Sequence, residues 1–244
     1  MKITILGPWG AYPAAGGATA GYLLEFNGNR VLLDCGSGVL SILQNYMPLN
    51  ELGAVVISHT HHDHVADLGC LQYACIIDTD LNKRTKALPI YVAGLQPTGH
   101  NPYPSMEGSE VVPFFENEIL HLHGMTFSFL KTFHGAYCLA MKIQSGSATI
   151  VYTADTYYDD SLIGFCADAD LLIAETSFYA GQDAKKYGHM NSEEVGHLAQ
   201  MAKVKKVVLT HLPHFGDIAD FEDEVRVKFR GEVVLAATGL QFEV

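Results

Sequence analysis

The chain has 244 residues, of which 48% are apolar, and a formal net charge of −12 from 27 acidic and 15 basic side chains. This length and apolar content suffice for one large hydrophobic core, and the sequence predicts a single domain over residues 1–244. The acidic balance repels polyanions and argues against extended nucleic acid as a partner. Because no apolar run is long enough to cross a bilayer and no signal-like leader is visible, we expect a cytoplasmic protein without membrane attachment.

The first third of the chain predicts short strands separated by loops. Strands are expected at 3–6, 21–26, 30–34 and 55–58, with a glycine-rich loop at 7–21, a turn at Asn27-Gly28-Asn29 and a helix at 39–46. After His64 the apolar residues follow helical spacing. This alternation indicates an α/β protein.

Residues 79–117 break the pattern because prolines interrupt them repeatedly. We expect a long irregular segment there, and such segments often serve as lids. Its side chains Tyr91, His100, Tyr103 and Met106 make it the expected specificity element, either over the site or against a partner subunit. The sequence thus leaves a homodimer open.

The remainder of the chain alternates between strands and helices. Strands are predicted at 126–131, 138–144, 149–153, 171–174, 207–209 and 233–235, and helices at 192–203 and 221–229. Asn191, followed by Glu194, predicts a capping box at the start of the first helix. The segments VVISH (55–59) and VVLTH (207–211) share one pattern, which either chance or a duplicated half-fold explains.

The segment SHTHHDH, residues 58–64, places four histidines and a carboxylate directly after a predicted buried strand. His59 and His61 are two positions apart and project to the same side of an extended backbone. Asp63 and His64 follow at the start of a helix and turn towards a second position. This spacing suits two neighbouring metal ions, and a solvated histidine-rich loop is the alternative.

Three further residues follow predicted strands in the same way: His134, Asp155 and His211. Each alone is weak, since a lone histidine at a strand end is usually a surface residue. Their order after the cluster makes them candidates for the same site, because rigid strand ends hold side chains in a cleft. Of the other histidines, we expect His214 near the cleft mouth, His62 pointing away in a supporting role, and His100, His121 and His123 at the surface.

With these residues the sequence resembles the metallo-β-lactamase superfamily of metal-dependent hydrolases, from its GPWG loop and LLDCGSG to the final helix. The resemblance implies a four-layer αββα sandwich of two halves, with a metal cleft at one edge. It implies two divalent ions, one held by His59, His61 and His134, the other by Asp63, His64 and His211, and both bridged by Asp155. The donor set favours Zn²⁺, with Mn²⁺ or Fe open.

Within the superfamily, GHMNS (188–192) and AETSF (174–178) are similar to segments of the ribonuclease Z-like branch. That similarity implies that His189 pairs with Glu175, faces the metals and meets a phosphate oxygen or leaving group. Asp63 is expected to orient or deprotonate the attacking water as well as to bind metal. An ordinary helix start with a histidine at its edge is the alternative for GHMNS.

Ribonuclease Z carries a long arm that grips tRNA, inserted between the third histidine and the bridging aspartate. Here His134 and Asp155 are so close in sequence that only one hairpin fits between them. The densest basic group, at 83–86, is typical of a solvated loop. The sequence therefore predicts a phosphodiesterase that acts on small phosphodiesters through a metal-bridging hydroxide. A thioester or lactone hydrolase, a tRNA 3′-processing endonuclease and a metal-bound sensor without turnover are the alternatives.

Overall fold

The computed structural model describes residues 1–95 and 102–244. Its strands are, in chain order, β1 (Lys2–Gly7), β2 (Gly21–Phe26), β3 (Asn29–Leu33), β4 (Ala54–Ile57), β5 (Leu88–Ala93), β6 (Ser109–Phe114), β7 (Leu120–Leu122), β8 (Met125–Lys131), β9 (Leu139–Ser145), β10 (Ala148–Tyr152), β11 (Leu171–Glu175), β12 (Lys206–Thr210), β13 (Glu232–Leu235) and β14 (Gln241–Glu243). Its helices are α1 (Val39–Leu43), α2 (His62–Val65), α3 (Leu68–Asp80), α4 (Ser161–Cys166), α5 (Ser192–Met201) and α6 (Asp220–Lys228). The strands and helices predicted outside residues 79–117 are confirmed with shifted ends, whereas β7, β14 and α4 had no signal.

The described strands form two seven-stranded sheets, in the spatial orders β14-β1-β2-β3-β4-β5-β6 and β13-β12-β11-β10-β9-β8-β7. One apolar cluster lies between the sheets and includes Tyr22 from the first sheet and Phe127 from the second. A second cluster joins the first sheet to α1 and α3, and a third joins the second sheet to α4, α5 and α6. The four layers are those of the predicted αββα sandwich.

Both sheets have the same pattern of strand directions. Neighbours are antiparallel from β1 to β3 and from β8 to β10, and parallel from β3 to β6 and from β10 to β13. In this correspondence β4 matches β11, whereas VVISH ends β4 and VVLTH ends β12. The halves are topological repeats, but the two similar segments are not equivalent positions in them. Each is a buried strand that delivers a histidine to the same cleft.

The expectation of an irregular segment at 79–117 is wrong, because β5 and β6 extend the first sheet there. Proline concealed both strands. The pairing of β5 with β4 begins at Ile90, one residue after Pro89. Pro113 lies in the edge strand β6, where a missing N–H group is tolerated.

The basic group at 83–86 is also more than a solvated loop. Arg84 is only 8% exposed, and its guanidinium donates to the carbonyl oxygens of Leu49 and Leu52 at 3.0 and 3.2 Å. Lys83 and Lys86 are exposed, as predicted. Arg84 thus fastens the end of α3 to the turn before β4.

Two local predictions are confirmed. Asn27 and Gly28 both have positive φ, 49° and 78°, as a two-residue hairpin turn between β2 and β3 requires. At α5, the Asn191 side chain accepts from the Glu194 N–H at 2.9 Å, and the Glu194 carboxylate accepts from the Asn191 N–H at 2.9 Å. The capping box fixes the start of the helix at Ser192, three residues after His189.

The hairpin of β9 and β10 fills the interval between His134 and Asp155, so this chain has no arm at the place where ribonuclease Z is expected to carry one.

None of the helices in the described part of the chain has the length and apolar composition that crossing a bilayer requires.

Candidate metal centre

One edge of the sandwich collects the side chains singled out in the sequence. His59 follows β4, and Asp63 and His64 lie in α2, the short helix that begins at His62. His134, Asp155 and His211 follow β8, β10 and β12 of the other sheet. Because both sheets present these strand ends at the same edge, residues far apart in sequence meet there.

The candidate ligand atoms lie within 4.8 Å of one another in each of three groups. The first contains His59, His61, His134 and Asp155, the second Asp63, His64 and His211, and the third Asp155, His189 and His211. In the first group, Nε2 of His59 and Nε2 of His134 each lie 3.7 Å from Oδ2 of Asp155. Nδ1 of His61 lies 2.9 Å from Nε2 of His134. Three imidazoles and one carboxylate therefore surround one point.

The second group lies on the other side of Asp155. Nε2 of His211 is 3.2 Å from Oδ2 of Asp63 and 3.4 Å from Oδ2 of Asp155. Nε2 of His64 is 3.5 Å from Oδ1 of Asp155. Because Asp155 faces both groups, it is placed to bridge two ions, and its role as a bridge stays a prediction.

Hydrogen bonds fix the tautomers of the histidines supplied by the first sheet. His64 Nδ1 donates to Asp34 Oδ2 at 2.7 Å. Ser58 Oγ also donates to Asp34 Oδ2, at 2.8 Å, so its proton is used and it accepts from His59 Nδ1 at 3.1 Å. Both rings therefore present the Nε2 lone pair to the cleft, as metal ligands require. Sequence reasoning assigned no role to Asp34, although this residue ends the LLD segment.

The second sheet orients its histidines through neutral acceptors. Ser177 Oγ donates to Glu175 Oε2 at 2.9 Å and accepts from His211 Nδ1 at 2.8 Å. His134 Nδ1 donates to the Gly188 carbonyl at 3.0 Å. These rings also turn Nε2 inwards. Sequence reasoning missed Ser177 and the Gly188 carbonyl because neither carries a metal-ligand signal.

Three buried atoms of the cluster support occupation by cations. Nε2 of His59, Nε2 of His64 and Oδ1 of Asp155 have no hydrogen-bond partner among residues 1–95 and 102–244. An unpaired buried polar atom costs about 1–3 kcal/mol, so proteins rarely keep three together. Divalent cations satisfy lone pairs of this kind, and the nitrogen and oxygen donors here fit such ions.

The charge balance of the cluster also favours cations. Burial acts to lower the pKa of His64, but the nearby carboxylates of Asp155 and Asp34 outweigh it and raise that pKa well above its ordinary value. Burial and the neighbouring His64 lower the pKa of His59. The carboxylates around His64 thus favour a positive charge at this position, and a divalent ion bound there would supply it.

His189 belongs to the third group, with Asp155 and His211. Its ring centroid is 5.1 Å from that of His211 and 5.2 Å from that of His134. Its Nδ1 donates to Glu175 Oε1 at 3.0 Å, so Nε2 remains for the cleft. Burial acts to lower the pKa of His189, but the charge and hydrogen bond of Glu175 outweigh it and raise that pKa to about 9. The predicted pairing of His189 with Glu175 is present.

Two clefts open on either side of this centre. One, of about 440 Å³, is walled by aromatic residues, including Tyr12, Phe178 and Phe215, and also by His214, as predicted. Its floor is formed by His189 and His211. The other, of about 660 Å³, begins at His134 and Gly188.

The segment expected to set specificity does not line these clefts within the described residues. Tyr91 packs against the cluster between the sheets, and Tyr103 packs against the cluster under α1 and α3. Met106 forms a bridge with Ser109, and His100 lies outside the described residues. His62, His121 and His123 are exposed, as expected.

Residues 29–212 match the family model described as "Beta-lactamase superfamily domain". The chain belongs to this superfamily, and it is a metallo-hydrolase with a His/Asp metal site. It is 44% identical, over 243 residues and the full length of both chains, to a Bacillus subtilis protein described as the probable metallo-hydrolase YhfI. The crystal structure of YhfI matches with a TM-score of 0.92 at 43% identity, over 99% of this chain and 98% of that one.

More distant relatives carry names with a stated activity. A ribonuclease Z from Saccharolobus solfataricus is 24% identical, over 90% of this chain and 91% of its own length. A diphosphatase from the PhnP family has a TM-score of 0.70 at 17% identity, over 100% of this chain and 97% of that one. At 17% identity, the similarity to the diphosphatase shows the fold alone.

Proposed function

We propose that the protein is a dinuclear metal-dependent phosphodiesterase that acts on small phosphodiesters, with Zn²⁺ as the favoured ion. The observation that carries this choice among hydrolases is the His189–Glu175 pair, with Nδ1 and Oε1 at 3.0 Å, set directly beside the candidate ligands. A cationic imidazole offsets the negative charge of a phosphodiester, whereas acyl esters have less need of one.

The ligand assignment is part of the proposal. His59, His61 and His134 would hold one ion, Asp63, His64 and His211 the other, and Asp155 would contact both. When bound, the two ions would supply a hydroxide nucleophile near neutral pH and offset charge on the phosphoryl oxygens. Asp63 is held for a second task, because the Ala11 N–H donates to its Oδ2 at 2.8 Å. That contact holds the carboxylate in place, where it would orient the attacking water.

His189 would act on the departing side of the phosphate. Glu175 is fully buried and also accepts from the N–H groups of Thr156 and Met190, each at 3.2 Å. These contacts hold its carboxylate still, so the imidazole that it carries is held as well. From this position the Nε2–H group can donate to a phosphate oxygen or protonate the leaving alkoxide, a contribution of roughly 10²–10⁴ in rate.

The size of the substrate follows from the surroundings. The hairpin of β9 and β10 stands where an RNA-gripping arm would be inserted, and the net charge of −12 opposes a long polyanion. The name of one relative, a ribonuclease Z, supports a phosphoester as the bond that is cut.

The test compares wild-type protein with His189→Ala, loaded with Zn²⁺, on bis(p-nitrophenyl) phosphate. We expect wild-type turnover and a fall in kcat of about 10²–10⁴ in the variant, with metal content by mass spectrometry unchanged. His121→Ala, a change at an exposed histidine of β7, is the matched control and should behave as wild type.

Other outcomes separate the alternatives. Activity confined to a thioester or a lactone, and indifferent to His189→Ala, would identify an acyl hydrolase. Efficient 3′ cleavage of a tRNA precursor would show that the missing arm is dispensable. Loss of metal from His189→Ala would place His189 among the ligands instead of on the leaving-group side.

A further inference from the structure

The cleft beside His134 has an unusual composition for so acidic a chain. It is lined by three lysines, Lys131, Lys185 and Lys186, and by the rings of Phe133, Tyr157 and Tyr187. The lysines come from two segments, the end of β8 and the turn Lys185–Tyr187, so the sequence gives no sign that they converge.

The aromatic rings position the lysines. Nζ of Lys185 lies 4.7 Å from the ring centre of Tyr157, which stacks on Phe133 with the ring centroids 5.1 Å apart. Nζ of Lys186 lies 5.4 Å from the ring centre of Tyr187. Cation–π contacts of this kind hold an ammonium group without neutralising it.

The ammonium groups keep their charge available. Across residues 1–95 and 102–244, no carboxylate lies within salt-bridge distance of Lys131, Lys185 or Lys186. The Ser161 hydroxyl and N–H groups lower the pKa of Asp159, and the charge of Lys185 adds a smaller effect, but the two side chains form no ion pair. Lys131 also lines the cleft, although its Nζ lies 5.2 Å from the ring centre of Tyr137, which does not line it. The three lysines form a local positive field in a chain with a net charge of −12.

The cleft is coupled directly to the metal centre. Lys185 and Lys186 lie in the turn that ends at Gly188, whose φ is +79°. The carbonyl of Gly188 accepts from His134 Nδ1 at 3.0 Å, and His189 is the next residue. An anion bound by these lysines would therefore lie at a fixed position relative to a phosphoryl group at the metals.

We propose that this lysine cleft, defined by Lys131, Lys185 and Lys186, binds a second phosphate of the substrate. The inference rests on the proposed phosphodiesterase activity and narrows it. The substrate class is a small phosphodiester in which the substituent towards His134 carries an additional phosphate. The substituent on the other side is uncharged and lies in the aromatic cleft of Tyr12, Phe178 and Phe215.

The test uses two chromogenic esters that differ by one phosphate. Thymidine 5′-(p-nitrophenyl phosphate) lacks the second anion, and its 3′-phosphorylated derivative has it. We expect wild-type protein to prefer the phosphorylated ester through a lower KM, with the preference weakening as NaCl is raised. Lys185→Ala combined with Lys186→Ala should reduce the ratio of the two kcat/KM values roughly tenfold. The double variant Lys83→Ala and Lys86→Ala, at exposed lysines remote from the cleft, should leave the ratio unchanged.

A binding measurement keeps the inference testable without turnover. Calorimetry on the metal-loaded protein should show thymidine 3′,5′-bisphosphate binding roughly tenfold more tightly than thymidine 5′-monophosphate, and the Lys185/Lys186 variant should lose the difference. Equal binding of the two nucleotides overturns the lysine cleft. If both esters are cleaved without preference, the lysine cleft is wrong and the phosphodiesterase stands. If the bisphosphate is preferred but no diester is cleaved, the proposed activity fails and the anion site stands.

Discussion

The two halves of the molecule build their shares of the metal centre in different ways. The first half delivers four candidate ligands from one segment after β4, residues 59–64, which includes the start of α2. The second half delivers His134, Asp155 and His211 from three loops that follow β8, β10 and β12. Ligands within one segment can be recognised from their spacing in the sequence. Ligands dispersed over three loops come together only when the sheet aligns the ends of its strands.

The supports of the two halves differ as well. His64 donates directly to Asp34, a buried carboxylate that also accepts from the Ser58 N–H at 2.7 Å and from the Tyr152 hydroxyl at 2.9 Å. His59 and His211 each reach a carboxylate through a serine hydroxyl, Asp34 through Ser58 and Glu175 through Ser177, and His134 donates to the neutral Gly188 carbonyl. Hydrogen bonds to a charged acceptor are about twice as strong as neutral ones. Because only the first half contains a direct bond of this kind, we expect it to be the more firmly organised.

The largest effect is expected at Asp155, where the halves meet. Asp155→Asn keeps the size of the side chain but removes the charge and one oxygen lone-pair donor. We expect loss of metal from both groups and a fall in kcat/KM of roughly 1,000-fold or more, because both ions act together. Metal content and turnover of bis(p-nitrophenyl) phosphate measure this. Asp168→Asn, at an exposed position with φ of 56° that asparagine tolerates, is the control. A variant that keeps a full metal load would contradict the bridging role.

An intermediate effect is expected at Asp34, which is not itself a candidate metal ligand. Every oxygen of Asp34 faces a donor, so the amide of Asp34→Asn must point its NH₂ group at another donor. We expect metal affinity to fall roughly 10–100-fold, the usual cost of losing a residue that orients a ligand. Competition with a chelator measures the affinity.

Ser177→Ala is the matched change in the second half. It removes the neutral acceptor of His211 Nδ1, so we expect a smaller loss of affinity than in Asp34→Asn. Equal or reversed losses in the same chelator competition would show that the charged support does not make the first half firmer.

The smallest effect is expected at His62. This residue lies inside SHTHHDH but is exposed and belongs to none of the groups of candidate ligands. His62→Ala should keep both the metal content and the turnover of wild type, whereas His64→Ala, two positions on, should lose metal. Metal loss from His62→Ala would mean that the ligand positions within SHTHHDH have been assigned to the wrong histidines.

The same contrast explains what could be read from the sequence. The site residues were found because histidine and aspartate have specific chemistry and because their order matches a known superfamily. The strands β5 and β6 were missed because Pro89 and Pro113 are tolerated only by virtue of register and edge position, which are properties of the assembled sheet.

Supporting and charged groups were missed for a related reason. In the sequence, Asp34 looks like any other aspartate at the end of a strand. What distinguishes it is a hydrogen bond from Tyr152, which is far away along the chain. The convergence of Lys131 with Lys185 and Lys186 depends on β8 lying against the turn before Gly188. Interactions between distant segments leave no pattern in a single sequence.

The strand β14 has a consequence for biosynthesis. It pairs with β1 at the outer edge of the first sheet, although the chain between them contains the whole second sheet. During synthesis from the amino terminus, β1 to β6 emerge early, but the outer edge of β1 stays unpaired until residues 241–243 have been made. An unpaired strand edge is a template for association with other chains. On the ribosome, nascent chains of this protein should therefore depend on chaperones most while the second sheet is being translated.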